Sequence, residues 1–317
     1  MTWRVLVSAP YLQPVLDEYQ QIFVDNDVEL VVPSVRERLS EEELLQWIRG
    51  VDGVICGDDR FTERVLRAAT KLKVISKWGS GVDSIDREVA HRLGIAIYNT
   101  PNAFTEPVAD TVMGYIVSFA RQLPWMDRDI REGVWHKRPC VSLHECTLGV
   151  IGVGNIGKAV LRRAIAFGMR ILGNDIKEIS LDFIGETGLN VETKDDLLRH
   201  ADFVSLNCDL NPTSLHLIGE KELELMKPTA FLINTARGPI VDEPTLVLAL
   251  EKRWIAGAAL DVFEEEPLPA DSPLRKLENV LLAPHNANSS PEAWKRVHEN
   301  TILQLLEGLR KNVRQQA

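Results

Sequence analysis

Thr147-Leu-Gly-Val-Ile-Gly-Val-Gly-Asn-Ile-Gly157, continued from Lys158 to Asp175, is the stretch from which the fold can be read. Leu148 to Val153 is an apolar run with the length of a buried parallel strand. Gly152, Gly154 and Gly157 follow as G-x-G-x-x-G. Lys158 to Phe167 then carries Ala159, Val160, Ala164 and Phe167 at helical spacing, and Met169 to Leu172 reads as a second strand ending near Asp175. In such a unit the first glycine permits a tight turn. The second lets the backbone approach a pyrophosphate, and the third lets the helix pack closely on the strand. The helix start, with Asn155 and Ile156 in its first turn, offers N–H groups and a positive dipole end to the phosphates. Asp175 lies about 20 residues beyond the first glycine. It is placed to accept hydrogen bonds from ribose hydroxyls and to repel a 2′-phosphate, which predicts NAD as cofactor.

Outward from this unit, the 317 residues suffice for two domains. Residues 1–100 alternate strand patterns (Val5–Val7, Val28–Val32, Val51–Cys56, Lys73–Trp78, Ile95–Tyr98) with amphipathic stretches such as Glu41–Ile48 and Thr62–Ala69. Ser40 with Glu43 fits a capping box, and Thr62 an N-cap. The alternation predicts a parallel sheet covered on both faces. A turn at Asn99–Asn102 breaks it. A helix from Val108 to Leu123, stopped by Pro124, and a further helix, Trp125–Glu132, come next. Beyond the glycine-rich unit, strands are expected at Phe203–Leu206, Ala230–Asn234, Ala256–Leu260 and Val280–Leu282. Helices are expected at Asp195–His200, Glu220–Met226 and Glu243–Glu251. A last helix, Pro291–Leu309, is expected to return to the first domain. The predicted fold class is therefore α/β, with two doubly wound parallel-sheet domains and a cleft between them. One is a flavodoxin-like substrate domain of residues 1–100 with 288–317, the other an NAD-binding Rossmann domain of residues 101–287.

Bulk properties narrow the function. A net charge of −10 argues against nucleic acid as partner. No apolar stretch reaches membrane-spanning length, and the N-terminus runs into a strand pattern that resembles no signal peptide. Cys56, Cys140, Cys146 and Cys208 form no C-x-x-C pair and read as free thiols of a cytoplasmic protein. The histidines show no zinc-like spacing. The tail from Arg310 reads as a frayed, solvated end.

Three residues follow predicted strands of the second domain: Arg237, Glu266 and His285. In open α/β sheets ligands bind beyond the carboxyl ends of the strands. A cation, an acid and an imidazole there suit hydride transfer to a small anionic 2-oxo acid, or from the 2-hydroxy acid. Arginine can fork a carboxylate and polarise the ketone. Histidine can pass the proton, and glutamate can hold the imidazole and favour its protonated form. Taken singly, each would suit an ordinary surface loop. It is their joint placement after the dinucleotide motif that points to catalysis.

Over nearly its full length the chain resembles the D-isomer-specific 2-hydroxyacid dehydrogenases, a family that includes phosphoglycerate dehydrogenases and glyoxylate/hydroxypyruvate reductases. The matching stretches are Lys77-Trp-Gly-Ser-Gly-Val-Asp83, Asn99-Thr-Pro-Asn102, Val108-Ala-Asp110, Gly152–Gly157, Asn234-Thr-Ala-Arg-Gly238, Val241-Asp-Glu243, Ala259-Leu-Asp-Val-Phe263 with Glu266-Pro267, and Pro284-His285. The resemblance implies that Arg237 binds substrate, His285 is the acid/base and Glu266 its partner. It also implies cofactor contacts at Thr111, Cys208, Thr235, Ala236 and Asp261, and a substrate site at Ser80, Gly81 and Lys77. Glycine-rich backbone forms an anion nest on physical grounds as well. A homodimer packed through Val108–Leu123 and the stretch to Pro139 is likewise implied. Glu266 argues against formate dehydrogenases, which carry glutamine there. Phosphoglycerate-specific members commonly have an arginine in the loop matching Cys56-Gly-Asp-Asp-Arg60, where Asp58 and Asp59 would oppose a phosphate, while Arg60 or Lys77 could still serve one. Asp110 replaces a usual glutamate, and Asn286 a usual aliphatic residue. The substrate stays open between glyoxylate, hydroxypyruvate or another small 2-oxo acid and 3-phosphohydroxypyruvate. An NAD-sensing, corepressor-like scaffold is the alternative from another class.

Overall fold

The computed structural model describes residues 2–314. In chain order the elements are β1 (Trp3–Val7), α1 (Gln20–Val24), β2 (Val28–Val31), α2 (Glu41–Trp47), β3 (Gly53–Cys56), α3 (Glu63–Ala68), β4 (Val74–Lys77), α4 (Arg87–Arg92) and β5 (Ala96–Tyr98). These are followed by α5 (Thr105–Arg121), α6 (Leu123–Arg131), β6 (Thr147–Ile151), α7 (Asn155–Ala166), β7 (Arg170–Asn174), α8 (Leu181–Thr187), β8 (Asn190–Val191) and α9 (Lys194–His200). The remainder is β9 (Phe203–Leu206), α10 (Glu220–Leu225), β10 (Phe231–Asn234), α11 (Glu243–Glu251), β11 (Gly257–Leu260), β12 (Val280–Leu282) and α12 (Pro291–Arg314). Two compact units result: Met1–Ala103 with Ser290–Ala317, and Phe104–Ser289.

The first unit holds a parallel five-stranded sheet in the order β2-β1-β3-β4-β5. Its central strands β3 and β4 are buried throughout, as parallel strands covered on both faces must be. Ser40 and Glu43 form the capping box at α2, and the Thr62 hydroxyl accepts from Val65 N–H at α3. α12 belongs to this unit: the buried Ser76 hydroxyl donates to the Thr301 carbonyl at 2.8 Å, and Leu305 and Leu309 are buried in the core.

The second unit holds a parallel seven-stranded sheet, β12-β11-β10-β9-β6-β7-β8. Successive residues of its strands feed opposite cores. Ile233 and Ala259 face one, with α5 and α7; Leu232, Ala258 and Leu260 face the other. Phe231 stacks between Phe119 (4.4 Å) and Phe203 (5.4 Å), fixing α5 on the sheet.

Some elements differ from the expectations. α5 ends at Arg121 because Gln122 is left-handed (φ 51°), and Pro124 lies instead in the first turn of α6. Proline is favoured there, where its missing N–H has no helical partner to lose. α1, α4, α8 and β8 carry too few buried apolar residues to show a periodicity: α4 buries only Val89 and Ala90, and α8 only Phe183. The tail expected to fray continues α12 to Arg314, and Arg310 hydrogen-bonds Asn26. Residues 315–317 lie outside the described residues. No described helix is long and apolar enough to cross a membrane.

Candidate active site

The glycine-rich turn between β6 and α7 is shaped by close approach. Gly152 sits at φ 90°, and a Cβ there would meet Cys208 N at 2.6 Å. A Cβ on Gly157 would stand 2.1 Å from the Gly152 carbonyl oxygen. A Cβ on Gly154, by contrast, would enter open space. This is the arrangement a pyrophosphate needs: two glycines close the turn on β9 and α7, and one leaves the backbone accessible. Gly154 is also the N-cap of α7 and supplies no side-chain cap.

Asp175, just past β7, accepts from Val153 N–H at 2.7 Å and from Lys177 N–H at 2.8 Å. Each carboxylate oxygen keeps a lone pair for a ribose hydroxyl. The buried Thr235 hydroxyl and Asn207 side-chain oxygen, each just beyond a strand, have no protein partner among the described residues. Buried polar atoms normally find one, so a polar ligand fits here. Burial pushes the Cys208 thiol up to about 11, with Asp209 and Asp175 adding to it, so Cys208 meets a ligand as a neutral thiol. The Thr111 hydroxyl lies 3.0 Å from the Pro107 carbonyl and 3.4 Å from that of Ala287.

The parallel register puts Asn234 beside Leu260 and Leu260 beside Leu282, so the loops after β10, β11 and β12 leave one sheet edge together. Beyond β10, the buried Asn234 amide donates to the Arg237 carbonyl (2.8 Å) and its oxygen accepts from Ala236 N–H (3.1 Å). The guanidinium of Arg237 donates to the Ala236 carbonyl at 2.8 Å. Beyond β12, His285 is left-handed (φ 51°), a conformation that must be held from outside. Asp261 holds it. Its carbonyl accepts from His285 N–H at 2.8 Å, and its carboxylate accepts from the N–H groups of Asn286 and Ala287, each at 2.9 Å. Burial raises the Asp261 carboxyl above its usual range, against the pull of these two N–H bonds. The sequence marked Asp261 only as a cofactor contact. Its grip on the loop, and that of Asn234 on Arg237, depend on residues that meet only in the fold.

Glu266 and His285 come together: Oε2 lies 3.0 Å from Nδ1, with side chains 16% and 21% exposed. The second Glu266 oxygen accepts from Phe263 N–H at 3.0 Å. With Nδ1 facing a carboxylate, the ring is held in the tautomer that carries its proton on Nδ1 when neutral.

In the first unit, the Ser80 hydroxyl donates to the Thr100 carbonyl (2.9 Å) and the Asn99 amide to the Ser80 carbonyl (2.6 Å), fixing the turn at Ser80-Gly81. Lys77 is almost fully buried. Its ammonium lies 3.0 Å from Asp58 and 3.2 Å from the Trp78 carbonyl, so its charge is already answered within the fold. Asp59 does not face outward against a phosphate: it is fully buried and accepts from the Ser8 hydroxyl (2.6 Å) and Leu39 N–H (2.5 Å).

Residues 113–287 match the D-isomer specific 2-hydroxyacid dehydrogenase NAD binding domain. The chain belongs to this family and is an NAD-dependent dehydrogenase of 2-hydroxy acids. Among its relatives, the glyoxylate reductase of Korarchaeum cryptofilum is 42% identical over 267 residues, 82% of this chain and 80% of that one. The D-3-phosphoglycerate dehydrogenase of Methanocaldococcus jannaschii is 39% identical over 301 residues, 92% of this chain but only 55% of that longer one. Among solved structures, the D-lactate dehydrogenase from Aquifex aeolicus complexed with NAD and lactic acid superposes with a TM-score of 0.88 at 27% identity, over 98% of this chain and 97% of that one.

Proposed function

We propose that the protein interconverts a small unphosphorylated 2-oxo acid and its D-2-hydroxy acid, with His285 as acid/base, Glu266 as its partner and Arg237 as the substrate-binding cation. The 3.0 Å Glu266–His285 pair carries this reading, because a carboxylate on Nδ1 orients the ring and makes Nε2 the atom that passes the proton. When bound, the nicotinamide exchanges a hydride with the substrate's C2. In reduction, His285 Nε2 gives its proton to the ketone oxygen; in oxidation it takes the hydroxyl proton. Arg237 polarises that oxygen and forks a carboxylate. In the first unit, the backbone N–H groups of Ser80 and Gly81 form a nest for a substrate carboxylate. Asp175 takes the ribose hydroxyls and repels a 2′-phosphate; Cys208, Thr235, Ala236 and Asp261 line the cofactor.

The Lys77–Asp58 pair supports an unphosphorylated substrate, since the Lys77 charge is already met by a carboxylate and a phosphate would be left with the exposed Arg60 of the same loop. On this reading residues 1–100 with 288–317 bind substrate and 101–287 bind NAD. The protein works as a homodimer, supported by the exposed apolar Leu123, Ile130, Val134 and Trp135; elution at the 35.6 kDa of one chain would overturn that assembly. The test of function is NADH consumption with glyoxylate, hydroxypyruvate, pyruvate, 4-methyl-2-oxopentanoate and 3-phosphohydroxypyruvate side by side. Preference for an unphosphorylated acid is expected. Preference for the phosphorylated one would refute the substrate reading, and silence from all five would refute the assigned chemistry.

A further inference from the structure

The carboxyl edge of the first unit's sheet carries an aromatic group that the chemistry above does not use. Tyr11 follows β1 and Trp78 follows β4, two residues before Ser80; Trp294 and His298 come from the first turns of α12. The ring centroids of Tyr11 and Trp78 are 5.2 Å apart, those of Tyr11 and Trp294 5.1 Å, and those of Trp78 and Trp294 5.8 Å with the rings near perpendicular. Trp78 is locked: its indole N–H donates to His298 Nδ1 at 2.9 Å. His298 is buried, and desolvation holds its pKa below the usual imidazole range, which keeps Nδ1 an acceptor. Trp78 is buried, whereas Tyr11 and Trp294 are each partly exposed. A rigid aromatic surface with two accessible rings thus stands on the same edge as the Ser80-Gly81 turn.

We infer that Tyr11, Trp78 and Trp294 form the shelf that receives the substituent on C3 of the substrate, and that they select apolar side chains over polar ones. The inference rests on the proposed binding of the substrate carboxylate at Ser80 and Gly81. Trp78 lies two residues before Ser80, and the two accessible rings, Tyr11 and Trp294, pack on it at 5.2 and 5.8 Å, which puts them beside a carboxylate anchored at that turn. The shelf offers aromatic faces, and its one buried N–H is consumed by His298. Lys77, one residue before Trp78, is paired with Asp58. A branched or aromatic side chain gains contact area on the ring faces, whereas a hydroxymethyl group has little apolar area to bury there.

The experiment compares kcat/KM for 4-methyl-2-oxopentanoate and hydroxypyruvate in the native protein and in Trp294→Ala, Tyr11→Ala and Trp294→Phe. Folding is checked by far-UV circular dichroism and thermal unfolding. The native protein is expected to favour the branched acid. Trp294→Ala and Tyr11→Ala are each expected to lower that preference by about tenfold, the scale set by an apolar contact in a binding pocket. Trp294→Phe should restore most of it. A native preference for hydroxypyruvate, or a ratio unchanged in both alanine variants, would overturn the shelf while leaving the dehydrogenase reading intact. Turnover of neither acid, nor of glyoxylate, would instead overturn the reading on which the shelf depends.

Discussion

Replacing Glu266 by glutamine tests the proposed catalytic pair with little disturbance to the fold. Glutamine is nearly isosteric, but its single carbonyl oxygen replaces only one of the two Glu266 oxygens; turned toward His285 Nδ1–H it keeps a neutral hydrogen bond there and gives up the 3.0 Å bond from Phe263 N–H. What it removes is the negative charge 3.0 Å from His285 Nδ1. Both side chains are largely buried, so solvent screens this charge only partly. A hydrogen bond to a charged group contributes about 1.5–3 kcal/mol, and a neutral one about 0.5–1.5 kcal/mol. The difference is about 1–1.5 kcal/mol, which corresponds to roughly tenfold in rate. Reduction of a 2-oxo acid consumes the imidazolium proton, so kcat/KM for reduction should fall by about this factor near neutral pH. Steady-state NADH oxidation near neutral pH, with NADH affinity measured separately, reads the effect. A kcat/KM within twofold of the native value would refute the reasoning. So would a loss that appears entirely as weaker NADH binding.

His285→Ala should abolish turnover while leaving NADH affinity within a few-fold, and near-native kcat in that variant would refute the acid/base assignment. Asp175→Ala should narrow the preference for NADH over NADPH by about tenfold, the equivalent of 1.4 kcal/mol; an unchanged ratio of kcat/KM values would remove Asp175 from cofactor selection. Gly157→Ala places a methyl 2.1 Å from the Gly152 carbonyl oxygen. It should cost about 1–3 kcal/mol and weaken NADH binding, and a native Tm with native affinity would contradict the close packing of that turn. Burial pushes Asp59 up to about 6 from 3.8. Its contribution to stability is therefore fully present below pH 3.8 and is lost as pH rises through 6, by about 3 kcal/mol at most. Asp59→Asn should remove that dependence in urea unfolding series between pH 4 and 7, and parallel curves for the two proteins would refute it.

Several features were legible because they are local. Apolar runs bounded by glycine and proline mark parallel strands. Ser40, Glu43 and Thr62 cap the helices they precede, since a cap spans only three residues. The limit at Pro124 misled because proline is tolerated at a helix start; the left-handed Gln122 that ends α5 carries no such sequence mark. Asp59 read as an exposed acid because its partners, Ser8 and Leu39, are 51 and 20 residues away. Lys77 read as a substrate residue, and nothing in its own stretch shows that Asp58 lies 3.0 Å from it.

The sequence by itself determined the doubly wound architecture, the dinucleotide turn and the chemical identity of Arg237, Glu266 and His285, because the spacing of residues along one strand, turn and helix encodes them. The structure places Glu266 3.0 Å from His285, the pairing the family resemblance implied; tertiary structure alone decided that Asp261 and Asn234 hold the loops of His285 and Arg237, and that Tyr11 and Trp78 share an edge with Trp294 and His298. The Trp78–His298 bond spans 220 residues. Such contacts follow from the order in which parallel strands assemble and from the return of α12 to the first sheet. Those are properties of the packed core as a whole, to which no short stretch of the chain bears witness.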